Sequence, residues 1–371
     1  MKVLGIYSTD QMLGGGEISF TLSLQLVQKS GWEVLAAVPG LGPLSEYLEK
    51  SGITSAVLPQ RPLREDLAAR HLLFPQPAWL ELCRKFRPDL IHCNAVRPAL
   101  YAQALSREHG IPAIMHARKA ESLPIVDLFL TCTLAAIIST SEVVRRRFRR
   151  GLGRCRVEVL HNPVDLEQFE RPTPRAAELR QEWSMGAGML VGVIGRLSPI
   201  KGQHWMIQAA PEVILKVPET RFVFIGSEDP CFPGYEMKLR SEIQRRGIVD
   251  KFLFAGYQDD LPSAYHALDL VVFPTSSEGF GRVIIEAGAA RKPLVASDID
   301  VVREVLSPEL EDLTVPLGQA KPLAERIGKI LADPALGQEL ANRLHEHVGQ
   351  HFGLEAHRRR LLRIYDQVIV R

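Results

Sequence analysis

Short apolar runs alternate with longer amphipathic stretches along almost the whole chain, and the alternation stops and begins again near the middle. In the first half the runs are KVLGIYS, EVLAAVP, SAVLP, LIHCN, AIMHA, AIISTS and VEVLH. In the second they are MLVGVIGRL, RFVFIGS, KFLFAGY, LVVFPT and PLVASD. Strands separated by helical crossovers must run parallel, because only a long connection returns the chain to the same end of a sheet. Two such series in 371 residues predict two doubly wound α/β domains, each carrying ligands at the carboxyl ends of its strands, facing a shared cleft. The Pro-rich passage Pro163–Pro174 reads as the linker, giving domains over 1–168 and 169–352. The last segment, about 353–371, has an apolar stripe at helical spacing that suits packing on either domain, a return to the first included.

Composition removes several classes of function. Apolar residues make up 46% and charged residues 24%, which is ordinary for a globular protein and excludes a disordered or fibrous chain. A net charge of +2 is too small to imply nucleic acid. The five cysteines are scattered without a C-x-x-C pair, so neither a disulfide framework nor a zinc site is expected. The opening apolar run is too short for a signal peptide. Leu123–Thr140 is interrupted by Pro124, Asp127 and threonines, so it predicts a buried helix followed by a strand rather than a membrane span. A reduced, cytosolic protein is the expectation.

Two loops carry the chemistry. In VGVIGRLSPIKG a strand ends at Gly195, and Arg196 and Lys201 follow in a turn that opens a helix. Cations beside a helix N-terminus make an anion site, since the unpaired N–H groups and the helix dipole add to the side-chain charge. Taken alone the pair is as readily two solvated surface cations. The order Lys-Gly, without the Gly-Lys-Ser/Thr of a Walker loop, excludes that phosphate motif. In TSSEGFGRVIIEAGAA, Glu278 precedes a Gly279–Phe280–Gly281 turn and Glu286 lies in the early turns of the helix that follows. The glycines permit close approach of backbone to a ligand. One acid can then hold one part of a ligand and the other a second part, although capping of the helix is an ordinary alternative.

Together, and in this order, the loops resemble the retaining glycosyltransferases of family 4, which have the two-domain GT-B fold. The resemblance extends along nearly the whole chain through GGGE after the first strand, IPAIMHA, ISTSE, HNPVDLEQF, FAGYQDDLPSAYHALDLVVFPT and REV near Glu304. It implies transfer of a sugar from a nucleotide-diphosphate sugar to a glycan, lipid-linked or phosphate-bearing acceptor. The same fold also hosts sugar-nucleotide hydrolases and epimerases, the alternative from another class. The resemblance assigns the donor diphosphate to Arg196 and Lys201, the ribose hydroxyls to Glu286, and the transferred sugar to Glu278 with the backbone of Gly279, Phe280 and Gly281. Gly15 and Gly16 let the first helix approach the diphosphate, His116 sits beside the anomeric centre, and the base lies near Gly256 and Tyr257. No cofactor and no metal are implied: the chain is read as lacking an Asp-x-Asp manganese site. Same-face attack by the acceptor leaves no covalent nucleophile to assign.

The chain departs from the family after Glu286, where Arg291 stands in place of a glycine and Ile299–Asp300 in place of a glycine pair. Other features carry less. PGLGPLSEYL falls short of a dinucleotide fingerprint. His347 and His351 lack the order of a zinc motif. His92 and Asn94 end a strand, either touching the acceptor or serving as satisfied polar groups. Finally, Val143–Arg156 holds seven arginines (145, 146, 147, 149, 150, 154 and 156) with no acid among them. A solvated helix face is the usual meaning of such a run. Its density here points to an acidic membrane surface, through Arg145, Arg146, Arg147, Arg149 and Arg150, or to a phosphorylated acceptor. Residues 1–168 carry 20 basic against 16 acidic side chains, net +4, and the remainder 25 against 27, net −2, so the positive surface lies on the first domain.

Overall fold

A computed structural model of the chain describes residues 1–12, 14–60, 76–149, 155–184 and 188–369. It divides into two compact units, Met1–Pro163 together with Leu354–Arg371, and Val164–Gly353.

The first unit is built on a parallel sheet of β1 (Lys2–Ile6), β2 (Glu33–Val38), β3 (Ser55–Val57), β4 (Leu90–Cys93), β5 (Ala113–Ala117), β6 (Ala136–Ser139) and β7 (Arg156–Val159), in the order β3-β2-β1-β4-β5-β6-β7. Both faces are covered, so the inner strands read as apolar runs, while the edge strand β7 (Arg-Val-Glu-Val) keeps charged residues. One face packs the Pro77–Phe86 and Val96–His109 helices through Trp79, Cys83, Leu100 and Leu105. The other carries Phe20, Leu24 and Val27 of the Gly15–Lys29 helix, with Leu361, Ile364, Tyr365 and Val368 of the final Leu354–Ile369 helix. The end of the chain thus completes the core of the unit that holds its beginning.

The second unit repeats the plan with β8 (Leu190–Ile194), β9 (Arg221–Ile225), β10 (Phe252–Gly256), β11 (Leu270–Phe273), β12 (Leu294–Asp298) and β13 (Thr314–Pro316), ordered β10-β9-β8-β11-β12-β13. In both sheets the strand order reverses beside the first strand, between β1 and β4 and between β8 and β11. Loops diverge at that switch point and leave a crevice at the strand ends.

Two expectations change. The division falls at Pro163/Val164 rather than at 168/169, and the supposed linker contains a helix, Leu166–Glu170, capped by the Asp165 carboxylate on the Gln168 N–H at 3.3 Å. Phe169 of that helix is buried with its ring edge against Tyr265, 5.7 Å between centroids. The Phe169 carbonyl against His266 Nε2 at 2.7 Å and the Glu170–Arg291 ion pair at 3.1 Å also tie the segment to the unit. The strand β13 was also missed, being short and on the sheet edge.

Candidate functional site

The two motif loops, some eighty residues apart in sequence, leave adjacent strands at the switch point of the second sheet, one after β8 and one after β11. They are joined through one carbonyl. Ile200 O accepts the Ser276 N–H at 2.8 Å, the Thr275 hydroxyl at 3.0 Å and the Ser276 hydroxyl at 3.2 Å. Gly202 starts the Gln203–Lys216 helix with φ 75, and a Cβ there would collide with the Pro274 carbonyl, so glycine is required by space as well as by conformation. Buried Gln203 donates to the Arg196 carbonyl at 3.0 Å and bridges back to the Ser198 N–H. The loop is therefore held at both ends.

Within this frame Lys201 Nζ pairs with Glu278 Oε1, both side chains mostly enclosed. The cation expected for phosphate and the acid expected for sugar are thus paired with each other. Arg196 projects further out, about half exposed, with Nη1 3.0 Å from Asp229, a partner the sequence did not single out.

Glu286 is placed differently. It is only 4% exposed and both its oxygens are engaged: the Tyr265 hydroxyl donates to Oε2 at 2.9 Å, and Arg282 Nε donates to Oε1 at 2.9 Å. Burial first, and the Glu286 carboxylate second, push the Tyr265 phenol well above its ordinary range, so it remains a donor. Arg282 was legible as an i, i+4 partner; Tyr265, twenty-one positions earlier, was not. Phe280 is buried edge-on against Phe352 at 5.7 Å, and Gly281, with φ 90, opens the Arg282–Ala289 helix. Gly256 closes β10 with φ 67 and receives the Gly226 N–H, while Tyr257 beside it is half exposed.

Asp298 and Asp300 do spell the Asp-x-Asp spacing that was read as lacking. Arg303 spans them, 2.5 Å from Asp298 and 3.2 Å from Asp300, so both acids are paired to a cation. At the other departure, Arg291 takes φ 51 just beyond the Arg282–Ala289 helix, with its N–H on Gly288 O and that of Lys292 on Ala287 O. This is the left-handed closing position where glycine is favoured, so the arginine sits there under strain.

In the first unit, Gly15 and Gly16 begin the Gly15–Lys29 helix after β1. His116 ends β5 with no exposed surface, stacked on His92 at 5.6 Å and 11°, and neither ring nitrogen finds a hydrogen-bond partner. Burial above all, then the charge of Arg118, holds its pKa well below the ordinary 6.5, so the ring is neutral. His92 is not a free acceptor contact: its Nδ1 meets the Tyr365 hydroxyl at 2.6 Å. Asn94 instead positions Arg118, whose Nε and Nη1 donate to Asn94 and Asn162 at 3.0 Å each. Arg118 lies against Gly16, 3.3 Å from where a Cβ would stand. It follows directly after the end of β5, two residues beyond His116.

The arginine run is partly structural, a role that neither a solvated face nor an anionic partner describes. Arg147 is 3% exposed and doubly bonded to the Asp127 carboxylate, Arg145 chelates Glu142 at 2.7 Å, and Arg149 reaches the same acid at 3.4 Å. Arg156 starts β7 and bonds Gln367. Arg150 and Arg154 lie outside the described residues.

Comparison with known proteins agrees with this geometry. Residues 178–349 match the family described as glycosyl transferases group 1, and residues 13–168 match glycosyltransferase family 4. An alpha-D-kanosaminyltransferase of Streptomyces kanamyceticus is 27% identical over 75% of this chain and 76% of its own. A lipopolysaccharide core biosynthesis mannosyltransferase, LpcC of Rhizobium leguminosarum bv. viciae, is 28% identical over 57% of this chain and 60% of its own. The fold matches that of Anabaena HepE crystallised with UDP-glucose, with a TM-score of 0.85 and 22% identity over 99% of both chains.

Proposed function

Because the chain belongs to the glycosyltransferases of family 4, transferring sugars from nucleotide sugars, we propose a finer reading. The transfer proceeds with retention of anomeric configuration and without a metal, onto a cell-envelope glycan or a lipid-linked acceptor, at the inner face of a membrane. The observation that carries it is the Lys201–Glu278 pair, slung between two loops that share the Ile200 carbonyl. A diphosphate entering beside Lys201 and Arg196 is a stronger partner than either carboxylate, because it brings two negative groups to fixed donors. Lys201 then turns to phosphate and frees Glu278 to accept hydrogen bonds from the sugar.

When the bond from the anomeric carbon to the diphosphate oxygen breaks, its electron pair leaves with the phosphate, where the two cations stabilise the growing charge. The acceptor hydroxyl attacks from the same face, and its proton passes to the departing phosphate oxygen. Glu286, anchored by Tyr265 and Arg282, keeps one lone pair on Oε2 for a ribose hydroxyl. Arg196 and Lys201 supply at the diphosphate the positive charge that a metal would otherwise bring. The names of the relatives lend no support to a hydrolase or epimerase, and the HepE complex makes a uridine nucleotide the first donor to try.

The test is thermal unfolding with UDP, GDP and ADP, followed by nucleotide release from the matching sugar donor with and without a lipid extract. One nucleotide at a hundred times its Kd should stabilise the chain by about 2.7 kcal/mol. Release independent of the extract would mark a hydrolase, and no stabilisation by any of the three would remove the donor site.

A further inference from the structure

The Pro124–Thr133 helix is apolar on its exposed side as well as its buried one. Its inner face buries Asp127, Leu130 and Thr131, as a surface helix should. Its outer face is apolar too: Ile125 is 85% exposed, Leu128 40% and Phe129 36%, at positions i, i+3 and i+4, and Leu123 just before them is 48% exposed. A contiguous apolar stripe on an outer surface marks an interaction site, whereas scattered apolar residues do not. The arginine turn is bolted beside it. Arg147 reaches Asp127 through the helix and also donates to the Lys119 carbonyl, so the Glu142–Phe148 segment cannot swing away. Arg145 and Arg149 of that segment are 46% and 65% exposed. The four arginines 145, 146, 147 and 149 against the two acids Asp127 and Glu142 leave a net +2 beside the stripe; Glu158, which also acts on Arg145, is offset by Arg156 on the same strand, and exposed Lys119 and Glu121 cancel.

We infer that this helix and the arginine turn clamped to it form a docking face for an anionic lipid surface, the apolar stripe entering the headgroup–acyl boundary and the arginines meeting the phosphates. The argument for lipid is charge complementarity. An apolar strip with a cationic flank matches an interface whose depth is hydrocarbon and whose rim is anionic. A second copy of this chain would bring two positive flanks together. Arg147 is the fastener and takes no part in lipid contact. The purpose of the face, bringing the enzyme to a lipid-borne acceptor, rests on the reading above, but the docking itself is measured without donor or acceptor.

The test is co-sedimentation of the whole protein with phosphatidylglycerol-containing and pure phosphatidylcholine vesicles, at low and high salt. Wild type should bind the anionic vesicles and release them as salt rises. Since each cation near an acidic surface is worth about a fivefold factor, Arg145→Ser with Arg149→Ser should weaken binding at least about tenfold and flatten the salt dependence. Ile125→Ser with Phe129→Ser should lose binding even at low salt. Both variants should melt as wild type does and keep their stabilisation by nucleotide, which separates a failed docking face from a failed donor site. As a second readout, a polarity-sensitive dye on exposed Cys132, in a Cys231→Ser background, should shift to the blue on anionic vesicles only. The inference is overturned if wild type ignores anionic vesicles, or if the Ile125/Phe129 variant binds them unchanged. It is equally overturned if the chain forms a dimer that this variant dissolves while vesicle binding is absent.

Discussion

At the scale of single residues, charge exchange makes the sharpest predictions. Lys201→Ala should lower turnover a hundredfold or more, about 3 kcal/mol of lost transition-state stabilisation. Arg196→Ala should act in the same direction, and the double variant should lose less than the sum if both cations serve one diphosphate. Steady-state turnover of Lys201→Ala within twofold of wild type would remove the site. The two glutamates should separate: Glu278→Gln leaves nucleoside diphosphate binding nearly unchanged in calorimetry while depressing transfer, and Glu286→Gln weakens that binding. Glu286 also holds the Tyr265 hydroxyl and Arg282, so its loss could act through the fold alone. Tyr265→Phe discriminates, since it removes the internal hydrogen bond and spares the carboxylate. Nucleotide affinity in Tyr265→Phe as poor as in Glu286→Gln would make Glu286 a structural acid and refute the ribose assignment.

Between the residue and the fold, single elements hold the loops in place. Gly202 sits where a Cβ meets the Pro274 carbonyl and where φ is 75, so Gly202→Ala must push the two motif loops apart. Denaturant titration should show a loss well above about 1 kcal/mol, with activity falling beyond what stability explains. A neutral result would mean the loops are not packed as described. The Arg147–Asp127 pair is the other fastener. Removing one partner of an enclosed ion pair leaves a buried charge, so Arg147→Ala should cost about 3–5 kcal/mol. A loss below 1 kcal/mol would show that the arginine run is the solvated face its composition first suggests.

For the whole molecule, the first unit holds a histidine core that acid should break. His357, on the final helix, is fully buried between the Ser23 hydroxyl and the His161 carbonyl, each at 2.9 Å. Burial, opposed by the hydrogen bond to the His161 carbonyl, lowers its pKa from 6.5 to about 4, and the charges of Arg118, Arg360 and His161 act in the same direction as burial. His92 and His116 are lowered as well. The folded state resists protons that the unfolded chain accepts. Stability is therefore full above pH 6.5 and falls as pH drops toward about 4, by about 3 kcal/mol for His357 alone. Melting followed between those pH values should show this slope, and His357→Gln should flatten it. An unchanged slope would place the acid sensitivity elsewhere.

Much of the architecture was legible because it repeats a local rule. Buried parallel strands are apolar runs, crossovers are amphipathic, and a glycine or proline punctuates each joint; those signals need no partner to be read. The turn that carries Arg196 and Lys201 was legible for the same reason, as a glycine- and proline-bearing joint between a strand and a helix. What sequence could not supply were pairings made by distant strands: Asp229 on Arg196, Tyr265 on Glu286, Arg118 against Gly16, and the Leu354–Ile369 helix closing the first unit through Tyr365 on His92. The arginine run shows the limit most plainly. As composition it is excess charge seeking an anion, and only folding decided that Asp127 neutralises Arg147 while Ile125 and Phe129 face outward. Local chemistry is written along the chain. Which charges meet, and which apolar faces remain uncovered, depends on contacts between segments that are remote in sequence and is decided only when the sheets assemble.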